Sequence, residues 1–174
     1  MRMPVTIFLG LTVTLALFSC GGQKATHATD SSDTGAAAKK ESAAPAGAAY
    51  DCKYFGLTLA SGWDATAEKF GMAMVLPKGQ ISPGLYFKFE GEGNAAGTAE
   101  ESINTMIQNC GGSPMESATV AGIEFKTTTY PYSGMQQTMY VAYRNGTKIT
   151  ITIEGMGAKD NPDIKAMLAT VVLK

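Results

Sequence analysis

Three cysteines, one histidine, ten methionines and fifteen acidic residues are the side chains through which this 174-residue chain could do chemistry. The histidine, His27, has no ligating neighbour in its own stretch, and no second histidine follows it. Ser-His-Asp and Cys-His catalysis in their ordinary forms are thereby excluded from residues 50–174. G-x-S-x-G, H-E-x-x-H, P-loop and calcium-loop motifs are absent as well. Glu90 and Glu92 stand two apart at a strand end, and Glu100-Glu101 open a helix, where capping and the helix dipole account for them. A glycosidase pair would have to face itself across a cleft, and no such arrangement follows from these spacings. Met72 with Met74, and Met135 with Met139, each share a strand face, and clustered thioethers can hold Cu(I). The same positions fall on phases expected to be buried, so these methionines read as core filling. No metal and no cofactor is expected.

The third cysteine, Cys20, ends an apolar run. Met1-Arg2-Met3 supplies one positive charge, and Val5 to Phe18 is apolar or Thr/Gly throughout. Those are the dimensions of a secretory signal, too short for a bilayer span of about 20 residues. Leu17-Phe18-Ser19-Cys20, with Gly21-Gly22 behind it, resembles a bacterial lipoprotein lipobox. The resemblance implies that residues 1–19 are a signal peptide cut before Cys20 and that the Cys20 thiol is diacylated. Each buried methylene is worth about 0.8 kcal/mol, so two or three acyl chains hold a protein stably at a membrane. Gly21 in place of Asp implies the outer membrane, facing the periplasm, in a Gram-negative host, and the outer face of the plasma membrane otherwise. From Gly21 to Ala49 the chain is Ala, Ser, Thr, Gly and Asp with Lys39-Lys40 and Pro45. Such a composition cannot offset the entropy of ordering it, so residues 20–49 are expected to be a lipidated cysteine and a disordered tether. Its root-mean-square reach is roughly 30 Å.

With Cys20 assigned to lipid, Cys52 and Cys110 are an even pair in an oxidising compartment. A disulfide between them would close a loop of about 59 residues and contribute up to ~4 kcal/mol in the chain-entropy model. Two buried thiols, or a redox site, are the alternatives, although the spacing is wrong for C-x-x-C.

These residues are positioned by a domain of about 125 residues, Tyr50 to Lys174. Acidic and basic side chains nearly balance over the chain, 15 against 14, with no basic stripe, which points away from nucleic acid. Period-two alternation predicts strands at Tyr54 to Leu59, at Phe70 to Leu76 and at Leu85 to Phe89. Thr98-Ala99-Glu100-Glu101 is a capping box, and Ile103, Met106, Ile107 and Cys110 form one helical face that Gly111-Gly112 ends. A strand over roughly Ala118 to Tyr130 follows, then one carrying Met135, Gln137, Met139, Val141 and Tyr143 on one side. Asn145-Gly146 signals a type I′ hairpin into a strand marked by Ile149, Ile151 and Ile153. A last helix starts near Asn161 with Pro162 at N1, burying Ile164, Met167, Leu168 and Val171. The fold class is α+β: a six-stranded antiparallel sheet with packed helices, in the order βββ-α-βββ-α.

Tyr54-Phe55-Gly56-Leu57-Thr58-Leu59, its Gly62-Trp63 turn, the Ala121-Gly122 bend, the Asn-Gly hairpin and the terminal helix together resemble the Mog1/PsbP-like α/β sandwich. Ala60-Ser61 stands where that family often has a proline. The family holds photosystem accessory subunits, a nuclear transport factor and bacterial lipoproteins of unknown role. The resemblance implies a non-enzymatic binding or accessory module and transfers no site residue. A hydrolase or redox enzyme with an unrecognised site is the alternative. The candidate partner face, suited to an envelope protein or a glycan, is the sheet surface carrying Tyr54, Tyr86, Lys88 and Tyr140, with Thr58, Thr138, Thr150 and Thr152 around them.

Overall fold

The computed structural model describes residues 47–174; Cys20, His27 and the expected signal peptide lie outside them, as does the tether up to residue 46. Among the described residues, ten strands form two antiparallel sheets. The small sheet joins β1 (Ala49–Asp51), β2 (Phe55–Thr58) and β10 (Val172–Leu173) in the order β1-β2-β10. The large sheet holds β3 (Trp63–Ala65), β4 (Met72–Pro77), β5 (Gly84–Glu90), β6 (Glu116–Val120), β7 (Ile123–Tyr132), β8 (Met135–Arg144) and β9 (Thr147–Glu154). Its order is β3-β4-β5-β9-β8-β7-β6. The helices are α1 (Ala99–Cys110) and α2 (Pro162–Ala169). No helix among the described residues is long and apolar enough to cross a membrane.

The class, the antiparallel pairing and both helices are as expected; the strand count and order are not. The first expected strand belongs to the small sheet, where β2 lies between β1 and β10. The expected strand from Ala118 to Tyr130 is a hairpin instead. Ala121 and Gly122 both take positive φ, 52° and 74°, which reverses the chain in two residues and lays Val120 opposite Ile123. Asn145-Gly146 makes the same kind of turn, at 50° and 70°.

One face of the large sheet packs against the small sheet and α2. Ala73, Val75, Leu85, Phe87, Phe89, Ile149, Ile151 and Ile153 point into that core to meet Phe55, Leu57, Ile164 and Met167. Phe55, fully buried, stacks on Phe87 at 4.1 Å between ring centroids. The Trp63 indole N–H donates to Asp163 Oδ2 at 3.1 Å, linking β3 to α2. Asn161 caps α2 by accepting from the Asp163 and Ile164 N–H groups. The other face is crossed by α1, which rests mainly on β7 and β8. The β4-β5-β9 half of that face is left uncovered by the helix.

Candidate functional site

Period-two alternation puts every second residue of β4, β5, β9, β8 and β7 on the α1 side, and the register assembles them into rows. Met72, Lys88, Thr150 and Val141 form one row across four strands. Met74, Tyr86, Thr152 and Met139 form the next. Gly84, Glu154, Gln137 and Tyr130 form the third, at the end of the sheet where β5 begins and β9 stops. These rows are the floor of a groove of about 1010 Å³, with α1 as its wall through Ser102, Thr105, Met106, Asn109 and Cys110. That volume is at the upper end of small-ligand sites.

The wall is fixed at both ends. Thr98 accepts from the Glu101 N–H at 3.1 Å while Glu101 Oε2 accepts from the Thr98 N–H at 2.9 Å, the reciprocal capping box that the sequence predicts. After the left-handed cap at Gly111, Ser113 is pinned to β7. Its N–H donates to the Thr129 carbonyl at 2.8 Å, and its own carbonyl accepts from Thr128 Oγ1 at 2.7 Å.

The third row carries a continuous hydrogen-bonded chain. Tyr130 OH donates to Gln137 Oε1 at 2.8 Å, and Gln137 Nε2 donates to Glu154 Oε2 at 2.5 Å. Tyr86 OH donates to Glu154 Oε1 at 3.4 Å. A Cβ built on Gly84 would lie 2.6 Å from Tyr86 Cε2 and 2.7 Å from its hydroxyl. The Tyr86 ring therefore lies back over the bare backbone of Gly84, and its oxygen reaches the strand end. Burial raises the Tyr86 phenol above its ordinary value, with the Glu154 charge adding to it. Burial pushes the Tyr130 phenol up to about 12. Lys88, also on the floor, is paired with Glu90 at 2.7 Å.

The expected partner face does not hold together. Tyr86 and Lys88 are on the groove floor, but Tyr54 and Tyr140 belong to the opposite side of the sheet. Tyr54 stacks on core Phe89 at 4.8 Å, and its hydroxyl bonds Glu92. Tyr140 pairs with Ile151, packs on the core and lines a separate cavity of about 200 Å³ with Thr127 and Lys165. Strand β8 is buried on both faces, with Val141 and Ala142 each nearly inaccessible, so alternation there carries no sign of which side is out. The methionines are a second correction. Met72 and Met74 are exposed on the groove floor, and Met139 lines the same groove, whereas all three were expected in the core.

Cys52 and Cys110 are free thiols, a third correction. Cys52 packs against the core between the two sheets, and Cys110 lines the groove beyond the large sheet. Two layers separated by a sheet cannot bring Cα atoms within the 7 Å a disulfide needs. Among the described residues, no group of three His, Cys, Asp or Glu side chains could hold a metal ion. Glu154, Gln137 and Tyr130 belong to the site although the sequence pattern does not single them out. The available signal was Glu154's parity with Thr150 and Thr152 on the cleanest strand, which places it on their face.

No protein-family model matches the chain, and no curated protein matches it. Solved structures with a similar backbone include a protein of Bacteroides thetaiotaomicron, at TM-score 0.48 and 9% identity, covering 69% of this chain and 45% of that one. This chain thus spans less than half the length of that protein. A cyanobacterial PsbP (CyanoP) from Synechocystis has a TM-score of 0.46 at 13% identity, covering 73% of this chain and 92% of that one. LpqN, involved in cell envelope biogenesis of Mycobacterium tuberculosis, has a TM-score of 0.44 at 10% identity, covering 69% and 83%.

Proposed function

We propose that this chain is an extracytoplasmic lipoprotein, held at a membrane by acylated Cys20, whose domain is a non-enzymatic accessory module that binds a protein partner in the groove beside α1. The observation that carries the reading is the uncovered β4-β5-β9 floor, where exposed Met72 and Met74 flank the anchored ring of Tyr86. Methionine is flexible and polarisable and adapts to a partner's shape, while tyrosine and methionine are enriched at protein interfaces. Three further exposed apolar side chains flank the third row of the floor: Ile81 and Met156 on loops, and Tyr132 at the end of β7. Exposed apolar side chains gathered at one end of a groove and rimmed by polar groups are the pattern of an interaction site.

A photoreactive residue at position 74, compared with one at Lys165 on α2, tests this in the native envelope. The reading expects a discrete adduct from position 74 that position 165 does not give. The same adducts from both positions would sink it. The anchor is tested separately: Cys20→Ser should abolish incorporation of radiolabelled fatty acid and release the chain from the membrane fraction.

A further inference from the structure

Resting on the reading of the groove as a partner site, we infer that its Glu154 end is a cation subsite that takes one lysine or arginine side chain of the partner protein.

Three observations converge there. The Glu154 carboxylate is held by neutral donors, Gln137 Nε2 at 2.5 Å and Tyr86 OH at 3.4 Å. None of the ion pairs among the described residues includes it. The groove's own lysines are too far along the ladder to serve it. Lys88 pairs with Thr150, four residues from Glu154 or about 13 Å at ~3.3 Å per residue, and is occupied by Glu90. Lys148 is farther still, six residues away on the same strand. The carboxylate is half-buried among Tyr86, Gln137 and Tyr130, so it offers a charged acceptor in a partly desolvated setting with its counter-charge missing.

The surroundings fit an alkyl stem that ends in a cation. The Tyr86 ring packs on Gly84 with its hydroxyl on the carboxylate, and a cation that reached the carboxylate across a face of that ring would gain further attraction. Met74 and Met139 continue the same row on either side and suit the methylenes of a lysine or arginine stem. The subsite is also preorganised. Glu154 is fixed through Gln137 to buried Tyr130, so little ordering is left for binding to supply. Ile81, Tyr132 and Met156 stand exposed around that end, an apolar rim of the sort that surrounds a charged anchor at an interface. That rim favours a protein surface as the source of the cation.

The test is an NMR titration of the full-length chain with three probes, read on the Gln137 side-chain amide and the Tyr86 ring. The probes are acetyl-Ala-Leu-Lys-Leu-Ala-amide, the same peptide with norleucine for lysine, and phosphatidylethanolamine vesicles. The lysine peptide is expected to bind at least tenfold more tightly than the norleucine peptide and to shift both signals. Glu154→Gln is expected to erase that preference, and Tyr86→Leu to reduce it severalfold should the first variant fold poorly. Equal binding of the two peptides to the groove overturns the cation subsite and leaves the groove reading standing. A preference that survives Glu154→Gln also overturns it. Shifts produced by the vesicles and not by the lysine peptide overturn the protein source. Silence of every groove signal toward both peptides overturns the groove reading and the subsite with it.

Discussion

Tyr86 occupies the space in which Gly84, two residues earlier on its own strand, would carry a side chain; an added Cβ would meet two ring carbons and the hydroxyl oxygen between 2.6 and 2.8 Å. One missing side chain thus sets the pose of the aromatic ring that meets Glu154. Gly84→Ala should lift the ring off the strand and break its bond to Glu154. The atoms displaced are the far end of a flexible side chain, so the stability change should stay within ~1 kcal/mol. Thermal unfolding near the parent's, together with changed Tyr86 ring shifts, is the expected result. Unchanged ring shifts would show that Gly84 does not set the pose.

The two thiols on either side of the large sheet lead to a chemical prediction. Native protein alkylated without reductant, then unfolded and weighed, should carry label at Cys52 or Cys110, and unfolding in alkylant without reductant should label both. A mass gain that appears only after reduction would establish a bridge. Reductant should leave the thermal midpoint unchanged, since no loop is closed for it to open.

Alkaline titration should single out Tyr130. Its folded phenol keeps its proton up to about 12, while the unfolded chain loses it near 10. The stabilising difference is complete below pH 10 and is lost as the pH rises to 12, a fall of roughly 3 kcal/mol. Tyr50, Tyr86 and Tyr140 are shifted in the same direction and add to it. Absorbance at the phenolate band should show a last component near pH 12 that Tyr130→Phe removes, with a shallower alkaline loss of stability in that variant.

The wall of the groove depends on its cap. Thr98→Ala deletes the acceptor for the Glu101 N–H and should cost about 1 kcal/mol. Denaturant unfolding of the variant measures it, and Thr98→Ser should restore most of the loss.

Local chemistry was the most readable part of the sequence. The Thr98–Glu101 box, the Gly111 cap and the Asn145-Gly146 turn are each decided within a few residues, and each is found where the residues indicate. What the sequence hid is tertiary. Strands β1, β3 and β10 are two or three residues long, too short to show a period. Ala121-Gly122 looks like a bend until the positive φ of both residues makes it a reversal. Tyr140 and Met139 are neighbours on a strand covered from both sides, so hydropathy does not rank one as outward. Half of the expected partner face, Tyr86 and Lys88, was legible because β5 is covered on one side only; Glu154 was overlooked because its importance arises from Gln137 and Tyr86, which reach it from other strands.

The small sheet has a mechanical consequence. Lys174 bonds Asp51 at 2.7 Å and donates its backbone N–H to the Tyr54 carbonyl, so both ends of the described domain are stitched to one three-stranded patch on the side away from α1. Traction arriving along the chain from before Gly47 enters through β1, which grips β2 over only three residue pairs. Releasing that strand would also break the bond from the Tyr50 hydroxyl to the Thr66 carbonyl, and Thr66 in turn bonds Met74 of the groove floor. The entering chain is thereby joined to the floor of the groove, on the far face of the large sheet, by a short relay of hydrogen bonds.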